Sequence, residues 1–196
     1  MKDLSLLLFE NGLIKIGSFK LSSGIISPFY IDLRGLISYP KVLKRIAKMI
    51  LDLVSVKTNF DVVAGIATGG IPLAAFISSI SEIPMAYVRK EKKGHGLEKL
   101  IEGIVNGKRV LLVDDVATTG ASLEYAINVL RQNGAIIDHA AVIVDREEGA
   151  KERLERIGVK LLSLTTAKEI FTDLYTLRVI DKETFQRIIT YLNRKR

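Results

Sequence analysis

Lys108-Arg109-Val110-Leu111-Leu112-Val113-Asp114-Asp115-Val116-Ala117-Thr118-Thr119-Gly120-Ala121-Ser122 is the stretch on which the reading of this chain turns. Val110 to Val113 form an uninterrupted apolar run, the pattern of a parallel strand buried on both faces. Two adjacent carboxylates follow where that strand is expected to end, and a Thr/Gly/Ser loop then leads into an apolar-periodic segment. Strand, acid pair, hydroxyl- and glycine-rich turn, helix: this order suits a sugar phosphate. Backbone N–H groups at a helix N-terminus face a phosphate, and the carboxylates accept hydrogen bonds from neighbouring sugar hydroxyls. Without a partner, two acids beside an apolar core are costly. The same residues also fit a solvated loop followed by a plain helix cap. The pattern alone leaves both readings open.

The surrounding chain narrows the class. Its 196 residues, 48% of them hydrophobic, suit one domain with a sizeable core. Apolar stretches are interrupted well short of a membrane span, and Met1-Lys2-Asp3-Leu4 lacks the features of a signal peptide, so a cytoplasmic protein with no membrane partner is expected. The absence of cysteine excludes disulfides, thiolate chemistry and Cys-based zinc sites. His95 and His139, the two histidines, are too few for most protein-only transition-metal sites. A net charge of +7 invites a nucleic-acid reading. The cations are spread along the chain without interleaved aromatics, however, so no nucleic-acid partner is expected. Small anionic substrates suit the same charge.

Periodicity then orders the elements. A helix is expected over 3–10, a half-exposed strand over Ile14 to Leu21, another over Phe29 to Leu33, and an amphipathic helix over 40–54. Beyond it strands at 61–66, 84–88, 109–113, 136–145 and 159–164 alternate with helices at 70–81, 119–133 and 147–157, and helices near 166–175 and 181–193 close the chain. Such alternation predicts an α/β fold: a mostly parallel twisted sheet with helices on both faces. Residues 1–196 read as a single domain, with about residues 1–35 as a small hood over the strand ends.

Three further constellations carry chemistry. Arg89-Lys90-Glu91-Lys92-Lys93-Gly94-His95-Gly96 is too polar for core and reads as a solvated loop or, within a segment of about 89–107, as a mobile lid. Cations on a glycine-jointed loop fold over a polyanion and expel water, and a histidine between glycines suits proton transfer or phosphate contact near neutral pH. Gly65-Ile66-Ala67-Thr68-Gly69-Gly70-Ile71-Pro72 is a second strand-to-helix turn able to face a phosphate, a weak signal because such turns are common. Arg146, at a strand end, suits either a plain ion pair or planar recognition of a carboxylate or imide edge. His139 reads as structural.

Val-Leu-Leu-Val-Asp-Asp-Val-Ala-Thr-Thr-Gly-Ala-Ser, at 110–122, resembles the binding motif for phosphoribosyl diphosphate (PRPP) of the type I phosphoribosyltransferases. The segment 89–96 is similar to the catalytic lid of the orotate phosphoribosyltransferases in that family. Leu21-Ser22-Ser23-Gly24 with Ser27-Pro28-Phe29-Tyr30 is similar to their N-terminal segment. The likeness covers about residues 10–150, and the last 45 residues add little to it. It implies a Rossmann-like type I fold and a set of roles. Asp114 and Asp115 would bind the ribose hydroxyls. Val116, Ala117, Thr118, Thr119, Gly120, Ala121 and Ser122 would line the PRPP site, with Ala117 to Ser122 cradling the 5-phosphate. Arg89, Lys90, Lys93 and His95 would contact the pyrophosphate, the lid reaching the partner's site in a homodimer. Thr118 and Arg146 would contact orotate. Lys93, His95, Asp114 and Asp115 form the implied catalytic set.

The implied reaction joins orotate N1 to C1 of PRPP, releases pyrophosphate and gives orotidine 5'-phosphate, the nucleotide step of UMP formation. Its transition state resembles an oxocarbenium ion, so the protein must neutralise the leaving group and exclude water. Mg2+ held largely by PRPP oxygens fits that task; no general base is assigned. Two departures from the family pattern stand out: Ser22 occupies a place where many members carry lysine and Gly69 one where some do, and Lys92 or Lys20 are candidates to compensate. Two rivals remain: a purine-using member of the same family, and a non-catalytic regulator of this fold that binds RNA or a nucleotide.

Overall fold

The computed structural model describes residues 2–20, 24, 26–89 and 100–193. In chain order these form α1 (Lys2–Glu10), β1 (Ile14–Lys20), β2 (Ile26–Ile31), a 3₁₀ helix (Leu33–Ser38), α2 (Pro40–Ser55), β3 (Val62–Ile66), α3 (Gly70–Ser81), β4 (Met85–Val88) and β5 (Ile101–Glu102). After them come β6 (Val110–Ala117), α4 (Ala121–Gln132), β7 (His139–Asp145), α5 (Ala150–Arg156), β8 (Lys160–Thr166), α6 (Ala167–Thr176) and α7 (Lys182–Asn193).

A six-stranded sheet runs in the order β5-β4-β3-β6-β7-β8, parallel throughout except where β5 pairs antiparallel with β4. The strands are apolar on both faces because both are covered, and alternate residues enter different cores. Leu111 and Val113 join Val63, Ile143 and the helices α2, α3, α6 and α7. Val110 and Leu112 join Val62, Val142 and the helices α4 and α5. From β3 the chain moves outward to β4; from β6 it moves the other way, to β7 and β8. The order therefore reverses between β3 and β6, and a crevice opens beyond the carboxyl ends of those two strands.

Several elements differ in extent from the periodicity. β6 does not stop before the acid pair: its ladder with β3 ends at Gly65–Val113, while that with β7 continues to Ala117–Asp145. Asp114 and Asp115 thus lie within a strand that one neighbour has already left. The second strand spans 26–31 rather than 29–33, because Asp32 accepts a bond from the Arg34 N–H and caps the 3₁₀ helix. α5 starts at Ala150 rather than at 147, since the Glu147 N–H turns back onto Asp145 Oδ1 at 2.9 Å. The strand at 136 shrinks to an isolated bridge between Arg109 and Ile136, with β7 beginning at His139. Short β5 lies within the polar segment 89–107, where no strand was expected.

β1 and β2 form a separate antiparallel pair. α1 and β2 are tied to the end of the chain: Ser5 Oγ donates to Asp173 Oδ2 at 2.8 Å, and fully buried Phe29 packs on Phe171 and edge-on to Tyr191. The C-terminal helices are the floor on which the N-terminal segment rests.

Candidate active site

Beyond the ends of β3 and β6 lies a cleft of about 310 Å³, lined by Tyr30, Ile31, Asp32, Arg34, Ala67, Thr68, Gly69, Asp114, Asp115, Val116, Thr118 and Arg146. The turn after β3, the acid pair on β6, the end of β2 and the end of β7 converge there. Among the expected residues, Asp114, Asp115, Val116, Thr118 and Arg146 are brought together.

Each acid is held by the backbone that follows it. The Asp115 N–H donates to Asp114 Oδ1 at 3.0 Å, and the Val116 N–H donates to Asp115 Oδ1 at 2.9 Å. Burial pushes the Asp115 carboxyl above its ordinary range; the Val116 N–H opposes this, and the nearby Asp32 charge adds to it. The turn after β3 presses against this carboxylate. A Cβ placed on Gly69 would lie 2.6 Å from Asp115 Cγ. Glycine is what lets the turn close on the acid, while its φ of −64° lies in the ordinary helical region.

Arg146 is 5% exposed. Its N–H donates to the Ala117 carbonyl at 2.9 Å, which places the residue directly beside the end of β6. The guanidinium carbon stands 5.1 Å from the centre of the Phe29 ring, a favourable cation–π position. Nη2 lies 2.8 Å from Glu148 Oε1, although no properly directed hydrogen bond satisfies Nη2, Nε or that oxygen among the described residues. A buried guanidinium fixed on an aromatic face, with donors still to be met, can grip a planar ligand rich in acceptors.

The remaining expected residues lie around this cleft. Ala117 is buried. Thr119 lines a larger polar groove with Asp145 and Glu148. Gly120, at φ 76°, opens α4, whose first residues Ala121 and Ser122 line a shallower hollow with Arg89 and Tyr125. Arg89 is held away from the acid pair: Nη2 donates to Glu102 at 2.9 Å and to the Tyr87 hydroxyl at 3.1 Å. Its N–H donates to the Leu100 carbonyl at 2.8 Å, so Arg89 and Leu100 meet at the sheet edge. Lys90, Lys92, Lys93, His95 and Ser22 lie outside the described residues. His139 begins β7 at the opposite end of the sheet.

Sequence reasoning missed Phe29, Glu148 and the Asp32–Arg34 pair as parts of this site. Arg34 Nε and Nη2 each donate to Asp32 at 2.7 Å, and this fork holds the Asp32 carboxyl below its usual range. Asp32-Leu33-Arg34, opposite charges around an apolar residue at a strand end, was the available signal. For Glu148 it was the acid two residues beyond a buried arginine.

An open sheet whose order reverses beside an acid pair and a glycine turn defines a doubly wound α/β protein with its ligand crevice at the switch point. The phosphoribosyl transferase domain model matches residues 36–175. The chain belongs to that family and, within it, to the orotate phosphoribosyltransferases. Orotate phosphoribosyltransferase of Staphylothermus marinus is 48% identical over all of this chain and 96% of its own. UMP synthase of Leishmania donovani superposes with a TM-score of 0.88 at 30% identity over 98% of this chain, which spans 42% of that longer polypeptide. Orotate phosphoribosyltransferase of Mycobacterium tuberculosis H37Rv, solved in complex with PRPP, superposes at 0.72 with 30% identity over 86% of this chain and 97% of that one.

Proposed function

We infer that this chain transfers the phosphoribosyl group from PRPP to orotate, giving orotidine 5'-phosphate and pyrophosphate. The observation that carries this reading is the pairing, in one cleft, of Asp114 and Asp115 with an arginine seated on Phe29. Asp114 and Asp115 take the ribose hydroxyls, and their charge favours a ribosyl centre that turns cationic as the diphosphate leaves. Ala117 to Ser122, leading into α4 through a left-handed Gly120, take the 5-phosphate through backbone N–H groups and the Thr and Ser hydroxyls. Arg146 and Thr118 hold orotate, the guanidinium donating to its exocyclic oxygens.

The chain acts as one domain whose N-terminal segment roofs the cleft and whose segment 89–107 closes it. Lys90, Lys93 and His95 reach the diphosphate in the partner subunit of a homodimer. Arg89 joins them by exchanging Glu102 for the leaving group. Mg2+ fits as a companion of PRPP's own oxygens, where it would supply charge neutralisation for the diphosphate. No described helix is long and apolar enough to cross a membrane; with no cysteine in the chain, a cytoplasmic enzyme is the matching setting. The test is pyrophosphate release on mixing the protein with Mg2+, PRPP and orotate. Release matched one for one by orotate loss supports the reading, and absence of both refutes it.

A further inference from the structure

Arg34 and Arg146 are the cations among the described residues lining the cleft, and they are held very differently. Arg146 is buried on Phe29 beside Glu148. The Arg34 side chain is 64% exposed and stands at the rim beside Thr68 and Gly69, the turn that opens α3. Its plane is set by Asp32, which accepts from both Nε and Nη2 and also from the Arg34 N–H at 3.2 Å. A guanidinium carries five N–H donors, so a fork that uses two leaves the outer edge free to meet an anion. The turn facing Arg34 supplies no cation of its own, since Gly69 lacks a side chain and the Asp115 carboxylate occupies the space a Cβ would take. Asp32 and Asp115 both act on Arg34 to keep it charged.

We propose that Arg34 binds the diphosphate of PRPP, with Asp32 as the residue that orients it. This rests on the reading of the cleft as a PRPP site and adds to it a diphosphate contact from the body of the domain. Geometry supports the division of labour: a buried arginine at the back of the cleft faces the base, and an exposed, pre-aimed one at the rim faces the leaving group. Pre-aiming matters because a long side chain otherwise loses rotamer freedom on binding.

Titration calorimetry in Mg2+ separates the two halves of the substrate, with inorganic pyrophosphate and ribose 5-phosphate as probes. For Arg34→Ala, the pyrophosphate Kd should rise about tenfold or more while that of ribose 5-phosphate stays within about twofold. The double variant Asp32→Asn/Arg34→Ala should remain as weak toward pyrophosphate. Unchanged pyrophosphate binding by Arg34→Ala overturns the proposal. Recovery of binding in the double variant also does so, because Arg34 would then only screen Asp32. Equal loss of both probes overturns it too, as Arg34 would be holding the cleft together. Wild-type protein that binds neither probe refutes the PRPP reading itself.

Discussion

Gly69→Ala isolates one contact of the site. Its backbone, at φ −64° and ψ −36°, accepts alanine without strain, so the added methyl acts through space alone. That methyl would sit 2.6 Å from Asp115 Cγ and Oδ2 and 2.7 Å from Oδ1, short of the 3.4 Å at which ordinary contacts begin. Asp115 or the turn must therefore shift by about 0.8 Å, a misplacement comparable to those that lower catalysis about a hundredfold. Asp115 resists moving because its Oδ1 holds the Val116 N–H. The expected loss in kcat/KM for PRPP is about a hundredfold, or about 2.7 kcal/mol at the transition state. Overpacking costs the fold about 1–3 kcal/mol, which a thermal melt reads separately. Initial rates across a PRPP titration at saturating orotate give the number. A folded variant with kcat/KM within about twofold of wild type would refute the claim that Gly69 sets the position of Asp115.

Other predictions follow from the same geometry. Glu148→Gln keeps its size but removes the charge beside the Arg146 guanidinium; the orotate KM should rise about tenfold with the PRPP KM little changed, which steady-state kinetics in both substrates resolves. Arg146→Lys retains the charge but loses the planar fork over Phe29, and should cost about a hundredfold in kcat/KM for orotate in the same assay. Asp115→Asn should abolish most turnover while raising Tm. Burial raises the Asp115 pKa in the folded state, so the folded chain binds more protons than the unfolded one between the ordinary and the raised value. The stability associated with this group therefore falls as pH rises through that window, and Asn removes the penalty at neutral pH; a scanning calorimeter at pH 7 checks this. For the same reason PRPP affinity should weaken on acidification at a higher pH than an exposed aspartate would give, measured as Kd across a pH series.

The fold was largely legible because its strands are covered on both faces, and continuous apolar runs such as Val110–Val113 follow from that. Extents were less legible wherever a neighbour set them. β6 runs on through the acids because β7 pairs with it to Ala117. α5 starts late because Asp145 captures the Glu147 N–H. In the site, Asp114, Asp115, Thr118 and Arg146 could be named from a local motif and a strand end. Phe29 could not: its value comes from Phe171, Tyr191 and Arg146, distant in sequence and joined only by packing. Arg34 likewise looks like an ordinary surface cation until the turn at Gly69 is placed opposite it.

Specificity for the base is the central claim, since the acid pair and the phosphate loop serve any phosphoribosyl acceptor. The direct measurement offers orotate, adenine and hypoxanthine together, at equal concentration, to the enzyme with PRPP and Mg2+, and identifies the nucleotides by mass. Orotidine 5'-phosphate as the dominant product is the outcome predicted from Arg146 on its Phe29 platform. A purine nucleotide in its place would contradict the account.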